Sequence, residues 1–259
     1  MDCIVPTNDR PIRLACLLTS LLPQQWDGPR RLYLVDNSGQ DICLRPPVSK
    51  VLSALDRCGW TIERQASTAT SCMEIKLEAL RCGGDRHLVL IDNDILFTRS
   101  DTIAALDAAL SRYDVAAASP VAYDLDADRA VLTPFIEAYD RNPADPDGVA
   151  EGTIALGACM AFVRSDLDTI LDRWEWRLPY MEDQVLGHFL KRKRGYAYLR
   201  RHVVLHWGEN ETPTYHFDDH EVVRHLEELN ALDGRWAMLL GLRSSLRDGA
   251  DFPKPVVRR

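Results

Sequence analysis

Apolar positions along the chain keep two alternating rhythms. Short unbroken runs at Cys3-Ile4-Val5, Leu32-Tyr33-Leu34-Val35 and Leu88-Val89-Leu90-Ile91 read as strands, the last as one buried on both faces. Between the first two, Ile12, Leu14, Ala15, Leu17, Leu18, Leu21 and Leu22 recur at helical spacing. Pro6 stops the first strand, and Pro11 suits a first helical turn. Pro46-Pro47 breaks the chain before a helix from Val48 to Cys58, with Gly59 placed as its C-terminal cap. Trp60 to Arg64 is a weaker strand. A Ser/Thr-rich link, Ser67 to Ser71, leads into a helix over Cys72 to Arg81, which Gly83-Gly84 ends. Asp101 to Ser111 reads as a helix with Ala and Leu inward, and Val115 to Ser119 as a small-residue strand ending at Pro120.

From Tyr123 to Glu151 the pattern dissolves into acidic, Pro-rich sequence, which is either a disordered segment or, in the reading taken here, a mobile flap over the site. Asp124, Asp126 and Asp128 lack the turn glycine and terminal glutamate of a calcium loop and read as solvated. Order returns with a strand from Ile154 to Val163, whose small residues at 157–159 let something approach the backbone closely. A helix from Asp166 to Trp174, strands at Tyr196–Leu199 and His202–Leu205, and a helix from His220 to Leu242 complete the pattern. Strands alternating with helices at this spacing imply right-handed crossovers and an α/β fold with a mostly parallel sheet.

Open sheets of this class bind ligands outside the carboxyl ends of their strands. Asp9-Arg10, Asp36, Asp92 and Asp94 all fall on that rim. Asp92 and Asp94, one residue apart, close the most apolar strand. Two carboxylates there need a cation or a helix N-terminus nearby. Hard oxygen ligands suit Mg²⁺ or Mn²⁺ carrying a phosphate-bearing substrate. A strand-ending turn whose aspartates cap the next helix is the alternative for an isolated D-x-D. A second acidic pair, Glu182-Asp183, sits at a predicted helix start, where the helix dipole favours carboxylates.

Composition narrows the class. A net charge of −8 argues against a nucleic-acid partner held by a basic surface. The basic run Lys191–Arg194 suits an anion, a membrane surface or one solvated helix end. Seven cysteines form no C-x-x-C pair or zinc-like spacing, which suits reduced thiols in a cytoplasmic protein. No apolar run approaches the roughly 20 residues that span a bilayer, and no signal-peptide pattern opens the chain, so the expectation is a soluble or peripheral protein.

Four pieces in order resemble the family-2-like, nucleotide-sugar-dependent glycosyltransferases of the A-type (GT-A) fold. They are Val5-Pro6-Thr7-Asn8-Asp9-Arg10, Val35-Asp36-Asn37-Ser38, Ile91-Asp92-Asn93-Asp94, and Gly157-Ala158-Cys159-Met160 followed by Glu182-Asp183. The resemblance implies a single Rossmann-like GT-A domain over 1–219, with a nucleotide-binding half at 1–119 and an acceptor and catalytic half at 120–219. A C-terminal helical extension, 220–259, follows. It also implies roles: Pro6, Thr7, Arg10 and Asp36 for base and ribose; Asp92 and Asn93 at the nucleotide, with Asp92 on ribose or on metal through water; Asp94 as metal ligand. Asp183 resembles the catalytic base, with Glu182 orienting it or binding acceptor. His206, 23 residues beyond Asp183, falls where some members place a further metal ligand; His202, His216 and His220 are weaker competitors. Lys76 matches a basic residue that contacts the diphosphate, although a solvated helix lysine fits the sequence as well. Asp36 equally suits a turn-forming Asx residue.

The Q-x-x-R-W signature of processive members is absent, which implies single addition. Ser67–Ser71 replaces the usual N-x-G element. The implied reaction moves a sugar, with inversion, from a UDP- or dTDP-linked donor to a glycan, natural product or peptide, using Mn²⁺ or Mg²⁺. Trp207 and Tyr180, with Trp174 and Trp176, are aromatic candidates for the acceptor, and tryptophans that merely fill the core fit the sequence equally well. A nucleotidyltransferase is the alternative enzyme, but Thr7-Asn8-Asp9-Arg10 is not a glycine-rich phosphate loop. A non-catalytic nucleotide- or sugar-binding domain is the alternative outside enzymes.

Overall fold

Strands β1 (Asp2–Thr7) and, later, β4 (His87–Ile91) are buried along their whole lengths, as their unbroken apolar runs require. A computed structural model describes residues 1–69, 72–84, 86–126, 131–134, 148–151, 157–171 and 194–207. The chain divides into two units, Met1–Gly208 and Glu209–Arg259, and every described residue belongs to the first. The predicted helix from His220 to Leu242 therefore lies outside the described residues.

Helix α1 (Pro11–Leu21) starts on Pro11 and buries Leu14, Ala15, Leu17, Leu18 and Leu21. Strand β2 (Arg30–Asp36) follows, then a 3-10 turn at Ile42–Leu44 capped by the Asp41 carboxylate. Helix α2 (Pro46–Arg57) buries Val48, Leu52 and Leu55. Gly59 just beyond it has φ +83°, the left-handed conformation that glycine adopts without a Cβ penalty. Strand β3 (Trp60–Ala66) is a largely exposed edge; Trp60 packs edge-on against Trp26, ring centroids 5.2 Å apart. Helix α3 (Cys72–Leu80) leads into β4. Then come β5 (Ile95–Phe97), α4 (Thr102–Arg112), β6 (Ala117–Asp126), β7 (Val131–Pro134), β8 (Val149–Glu151), β9 (Cys159–Val163), α5 (Arg164–Leu171) and β10 (Tyr196–His206).

The sheet order is β3-β2-β1-β4-β9-β6-β10-β5, with β7 beside β6 and β8 beside β10. β3, β2, β1 and β4 are parallel neighbours. β9 runs against β4 and β6, and β10 runs parallel to β6. Six strands of the path thus point the same way, with β9 and β5 reversed. This mixed, mostly parallel α/β sheet brings the ends of β1, β2, β4 and β10 to one rim.

Several boundaries differ from the sequence reading. β1 continues through Pro6 to Thr7; its ladder to β4 ends at Ile4–Leu90, so beyond Ile4 the ladder is to β2 alone. β6 likewise runs through Pro120 instead of ending there. Opposite it, the β10 register jumps from Leu199–Pro120 to Val203–Val121, so Arg200–His202 bulges where proline removes a ladder donor. Tyr196–Leu199 and His202–Leu205 are therefore one bulged strand. The presumed flap holds ordered strands at both ends: Tyr123–Asp126 pairs with Val131–Pro134, and Val149–Glu151 pairs with Ala197–Leu199. Its remainder, 127–130 and 135–147, lies outside the described residues. β9 begins at Cys159, with Gly157-Ala158 a turn before it.

Cys3, Cys16, Cys43, Cys58, Cys82 and Cys159 are free thiols, and of these Cys3, Cys43 and Cys159 are buried. Burial pushes the Cys3 thiol up to about 12, which keeps it protonated and inert. No helix among the described residues is long and apolar enough to cross a membrane.

Candidate active site

The rim residues that follow β4 are locked to their neighbours through the backbone. Asp92 N–H donates to the Ala158 carbonyl at 2.9 Å, so the small residues at 157–158 admit the β4 rim itself. Ile95 N–H returns to the Asp92 carbonyl at 3.2 Å, closing the turn that carries Asn93 and Asp94. Asn93 Nδ2 donates to Thr7 Oγ1 at 3.1 Å, pinning that turn to the end of β1. On the other side β5 pairs with β10, His206 opposite Ile95, and Trp207 N–H donates to the Asp94 carbonyl at 2.8 Å. That register carries the imidazole of His206 to the carboxylate of Asp94.

The two aspartates have different surroundings. Lys76 Nζ, on α3, lies 2.9 Å from Asp92 Oδ1 and 3.0 Å from Oδ2, so the ammonium straddles the carboxylate. Its side chain is 7% exposed and that of Asp92 22%, which rules out a solvated helix lysine. Asp94 is more buried, and its cations are held loosely. Arg10 Nη1 and Arg13 Nη1 lie 3.4 and 3.7 Å from its Oδ2, both beyond ordinary hydrogen-bond length. Its Oδ1 is buried with no hydrogen-bond partner among the described residues, and His206 Nε2 lies 3.6 Å away.

That orphaned carboxylate oxygen facing an imidazole nitrogen is a donor set suited to a divalent cation. The 3.6 Å separation lets both atoms reach one ion at the usual distance of about 2.1 Å. Among the described residues no cluster of three or more His, Cys, Asp or Glu is arranged around a metal position. A cation there would take its other oxygens from substrate and water, the usual habit of Mg²⁺.

Comparisons with known proteins bear on the fold. No protein-family model matches the sequence, and no curated protein matches it. Solved structures do. S. aureus TarS residues 1-349 in complex with UDP-GlcNAc superposes with a TM-score of 0.61 at 12% identity, over 89% of this chain and 66% of that one. GalNAc-T7 with UDP, GalNAc and Mn²⁺ gives 0.59 at 11%, over 85% and 47%. The mannosyltransferase PcManGT from Pyrobaculum calidifontis, with GDP-Man and Mn²⁺, gives 0.56 at 18%, over 88% and 61%. The fold is that of the A-type glycosyltransferases. This chain spans 37% to 66% of the length of the solved chains it matches.

On that GT-A frame the remaining predicted residues fall as follows. Asp36, at the end of β2, spends one lone pair of each oxygen on its own loop: Oδ1 accepts from Ser38 N–H at 2.9 Å and Oδ2 from Ile42 N–H at 3.1 Å. Pro6 and Thr7 are buried at the end of β1. Asp9 takes the left-handed conformation (φ 32°), which aspartate tolerates better than most residues, and its N–H reaches Ser38 Oγ at 2.7 Å. Asn37 Nδ2 bonds the Ala69 carbonyl at 3.2 Å and thereby holds the Ser67–Ala69 link, the segment that departs from the family pattern. His202 sits away from this cluster, 3.4 Å from Thr102 Oγ1 and 3.7 Å from Asp101. Tyr180, Glu182, Asp183, Trp174, Trp176, His216 and His220 lie outside the described residues.

Arg13 belongs to the cluster and was not anticipated from sequence. Besides Asp94 it meets Trp207, its guanidinium carbon 5.7 Å from the ring centroid. It follows Arg10, the N-cap residue of α1, by three residues, a separation that brings N-cap and N3 side chains to the same end of a helix. That spacing was the available signal.

Proposed function

We propose that this chain is a divalent-metal-dependent glycosyltransferase that moves one sugar from a nucleoside diphosphate sugar to an acceptor hydroxyl, with inversion. The observation that carries the reading is the meeting of Asp94 and His206 at the sheet rim, beside the Lys76–Asp92 pair. Asp94 and His206 would hold Mn²⁺ or Mg²⁺. Bound there, the ion supplies positive charge toward the leaving nucleoside diphosphate. Lys76, already committed to Asp92, keeps that carboxylate oriented toward the ribose or toward a metal-bound water, and adds a cation on the diphosphate side. The Pro6-Thr7 backbone, Arg10, Asn93 and the unused lone pairs of Asp36 would form the base and ribose pocket. Asp36 fixes its loop through backbone N–H groups, so the pocket is organised before a ligand arrives.

In this reading Asp183 takes the proton of the attacking acceptor hydroxyl, and Glu182 orients that base. Such general-base help is worth about 10²- to 10⁴-fold. A single displacement with one base inverts the anomeric centre. Trp207 presents a ring whose interaction with Arg13 fixes its orientation, and with Tyr180 it is the candidate acceptor surface. The donors named with the structural neighbours carry uridine and guanosine. UDP- or dTDP-linked sugars are the donors proposed here, with a glycan, natural product or peptide as acceptor. Residues 1–119 would form the nucleotide half, 120–219 the acceptor half and 220–259 a helical extension. Buried free thiols support a cytoplasmic setting.

The test is a donor panel of UDP-, dTDP- and GDP-sugars with Mn²⁺, reading release of the nucleoside diphosphate with and without acceptors. One donor should be consumed, and Asp183→Asn should cut transfer by about 10²-fold or more while leaving donor binding intact. Binding of a nucleotide sugar with no turnover under any acceptor would point instead to a non-catalytic binding domain.

A further inference from the structure

We propose that the outward face of α1 is a self-association surface, covered by a second copy of this chain whose own α1 runs antiparallel to it. The inference stands apart from the nucleotide-sugar reading.

Helix α1 buries Leu14, Leu17, Leu18 and Leu21. Residues three or four apart share a helix face, so the opposite side is the stripe Ile12, Cys16 and Thr19. Cys16 is half-buried and Thr19 exposed. Among the described residues, Ile12 and Leu44 are the large hydrophobic side chains left exposed, at 65% and 72%. Leu44 lies in the 3-10 turn that leads into α2, the helix packed beside α1. The Thr19 hydroxyl donates to the Ala15 carbonyl at 2.7 Å, so its proton is already spent within the helix. Burying this stripe costs little in lost hydration.

Charge points to what covers this face. In a two-fold contact a patch meets itself, so a charged patch would confront its own sign. The α1 stripe holds no charged residue, whereas Lys50, Asp56 and Arg57 on α2 and Arg112 on α4 are exposed. Two copies of a chain with a net charge of −8 repel at long range, and an uncharged strip is where they can touch. The helix ends set the direction. α1 has no acidic residue in its first turn, no basic residue in its last and no side-chain cap at its N-terminus. The partial charges of its two ends are therefore not offset by side chains of its own terminal turns. An antiparallel partner helix sets opposite ends side by side; a parallel one would set like ends together. With the stripe centred near Cys16, antiparallel pairing puts Ile12 of each copy beside Thr19 of the other and both Cys16 side chains at the two-fold axis. One 11-residue helix is about 16 Å long, and its face falls short of the about 1,200–2,000 Å² of a standard stable interface. The dimer is accordingly reversible and dissociates on dilution.

The experiment is sedimentation equilibrium of the full chain in reductant, from micromolar to near-millimolar protein. The average mass should rise with concentration from 29.3 kDa toward twice that value. Ile12→Glu and Thr19→Glu, each placing a charge in an uncharged contact, should weaken dimerisation by about tenfold or more. Lys50→Glu, on the exposed side of α2, should leave it unchanged. A mixture of Ile12→Lys and Thr19→Glu should associate where neither variant does alone, as antiparallel pairing requires. Without reductant, diamide takes up two electrons and two protons from a pair of thiols. It should link wild-type copies through Cys16, a product absent from Cys16→Ser; this reads the contact even if a charged variant does not fold. A wild type that stays at 29.3 kDa throughout would overturn the proposal. If that monomer binds phosphatidylglycerol vesicles through Ile12, the face belongs to a lipid surface instead. A dimer that persists unweakened in folded Ile12→Glu and Thr19→Glu would also overturn it, as would a mixture that stays monomeric or a diamide product that survives Cys16→Ser.

Discussion

Lys76 reaches Asp92 from α3 with its ammonium almost wholly shielded from water, and the two partners of such a pair are unequal. Removing Asp92 leaves a charge in a place that water barely reaches. Removing Lys76 leaves a carboxylate that is 22% exposed and can be partly hydrated. Breaking a buried pair from one side costs about 3–5 kcal/mol, and a partly exposed partner lowers that figure. Asp92→Ala should therefore lose about 3 kcal/mol of stability and Lys76→Met about half as much. Urea midpoints at constant m-value check this. Equal losses would mean that the ammonium is better solvated than its burial implies. In the proposed reading the same asymmetry bears on catalysis: with a cation fixed on Asp92, Asp94, whose Oδ1 has no hydrogen-bond partner among the described residues, would be the carboxylate to take the metal.

At the scale of elements, the β10 bulge opposite Pro120 carries a titrating group. His202 is the last residue of that bulge, facing Asp101, Thr102 and Arg99 at the start of α4. Burial holds its imidazole below the ordinary value of 6.5; Asp101 opposes this, and Arg99 adds to it. The unfolded chain therefore takes up the proton first on acidification. This contribution to stability is complete above about pH 6.5 and is lost as pH falls toward the depressed folded value. His202→Asn should flatten the slope of melting temperature against pH below 6.5. An unchanged slope would assign the acid sensitivity to other groups.

The bulge also marks where the sequence was hardest to read. Arg200 and Arg201 interrupt the alternation between Leu199 and Val203, so one strand looked like two. Pro120 looked like a strand end because a proline is expelled from a regular ladder, and only the partner's bulge accommodates it. In β6, Val121, Tyr123 and Leu125 do alternate with Ala122, Asp124 and Asp126, but the acids masked a strand whose partner lay farther along the chain. The helices α1 and α2 and the strands β2 and β4 were legible because their signals are local: proline at a start, a helical repeat, or an unbroken apolar run.

For the whole molecule, the acidic strand ends anticipated the rim on which Asp36, Asp92 and Asp94 lie, and the resemblance carried by four short pieces in order anticipated the A-type fold and the place of His206. Parallel strands deliver their carboxyl ends to one side, so linear order becomes spatial convergence. Cations from other elements were not legible in that way. Lys76 was anticipated only through the resemblance and Arg13 was not anticipated, because both point at the aspartates through the rotations at which α3 and α1 pack against the sheet. Asp36 was legible as a rim residue, while its hold on Ser38 and Ile42 required coordinates. This rim is proposed as a metal-dependent nucleotide site. The most direct test is thermal unfolding of the full chain with UDP, dTDP, GDP or CDP, with and without Mn²⁺, in wild type and Asp94→Ala. A ligand at 100 times its Kd adds about 2.7 kcal/mol, a rise of roughly 5 to 10 °C for a domain of this size. A metal-dependent nucleotide site should give such a rise for one nucleotide, dependent on Mn²⁺ and absent from folded Asp94→Ala. No rise with any nucleotide, or one that persists without Mn²⁺ and in Asp94→Ala, would contradict it.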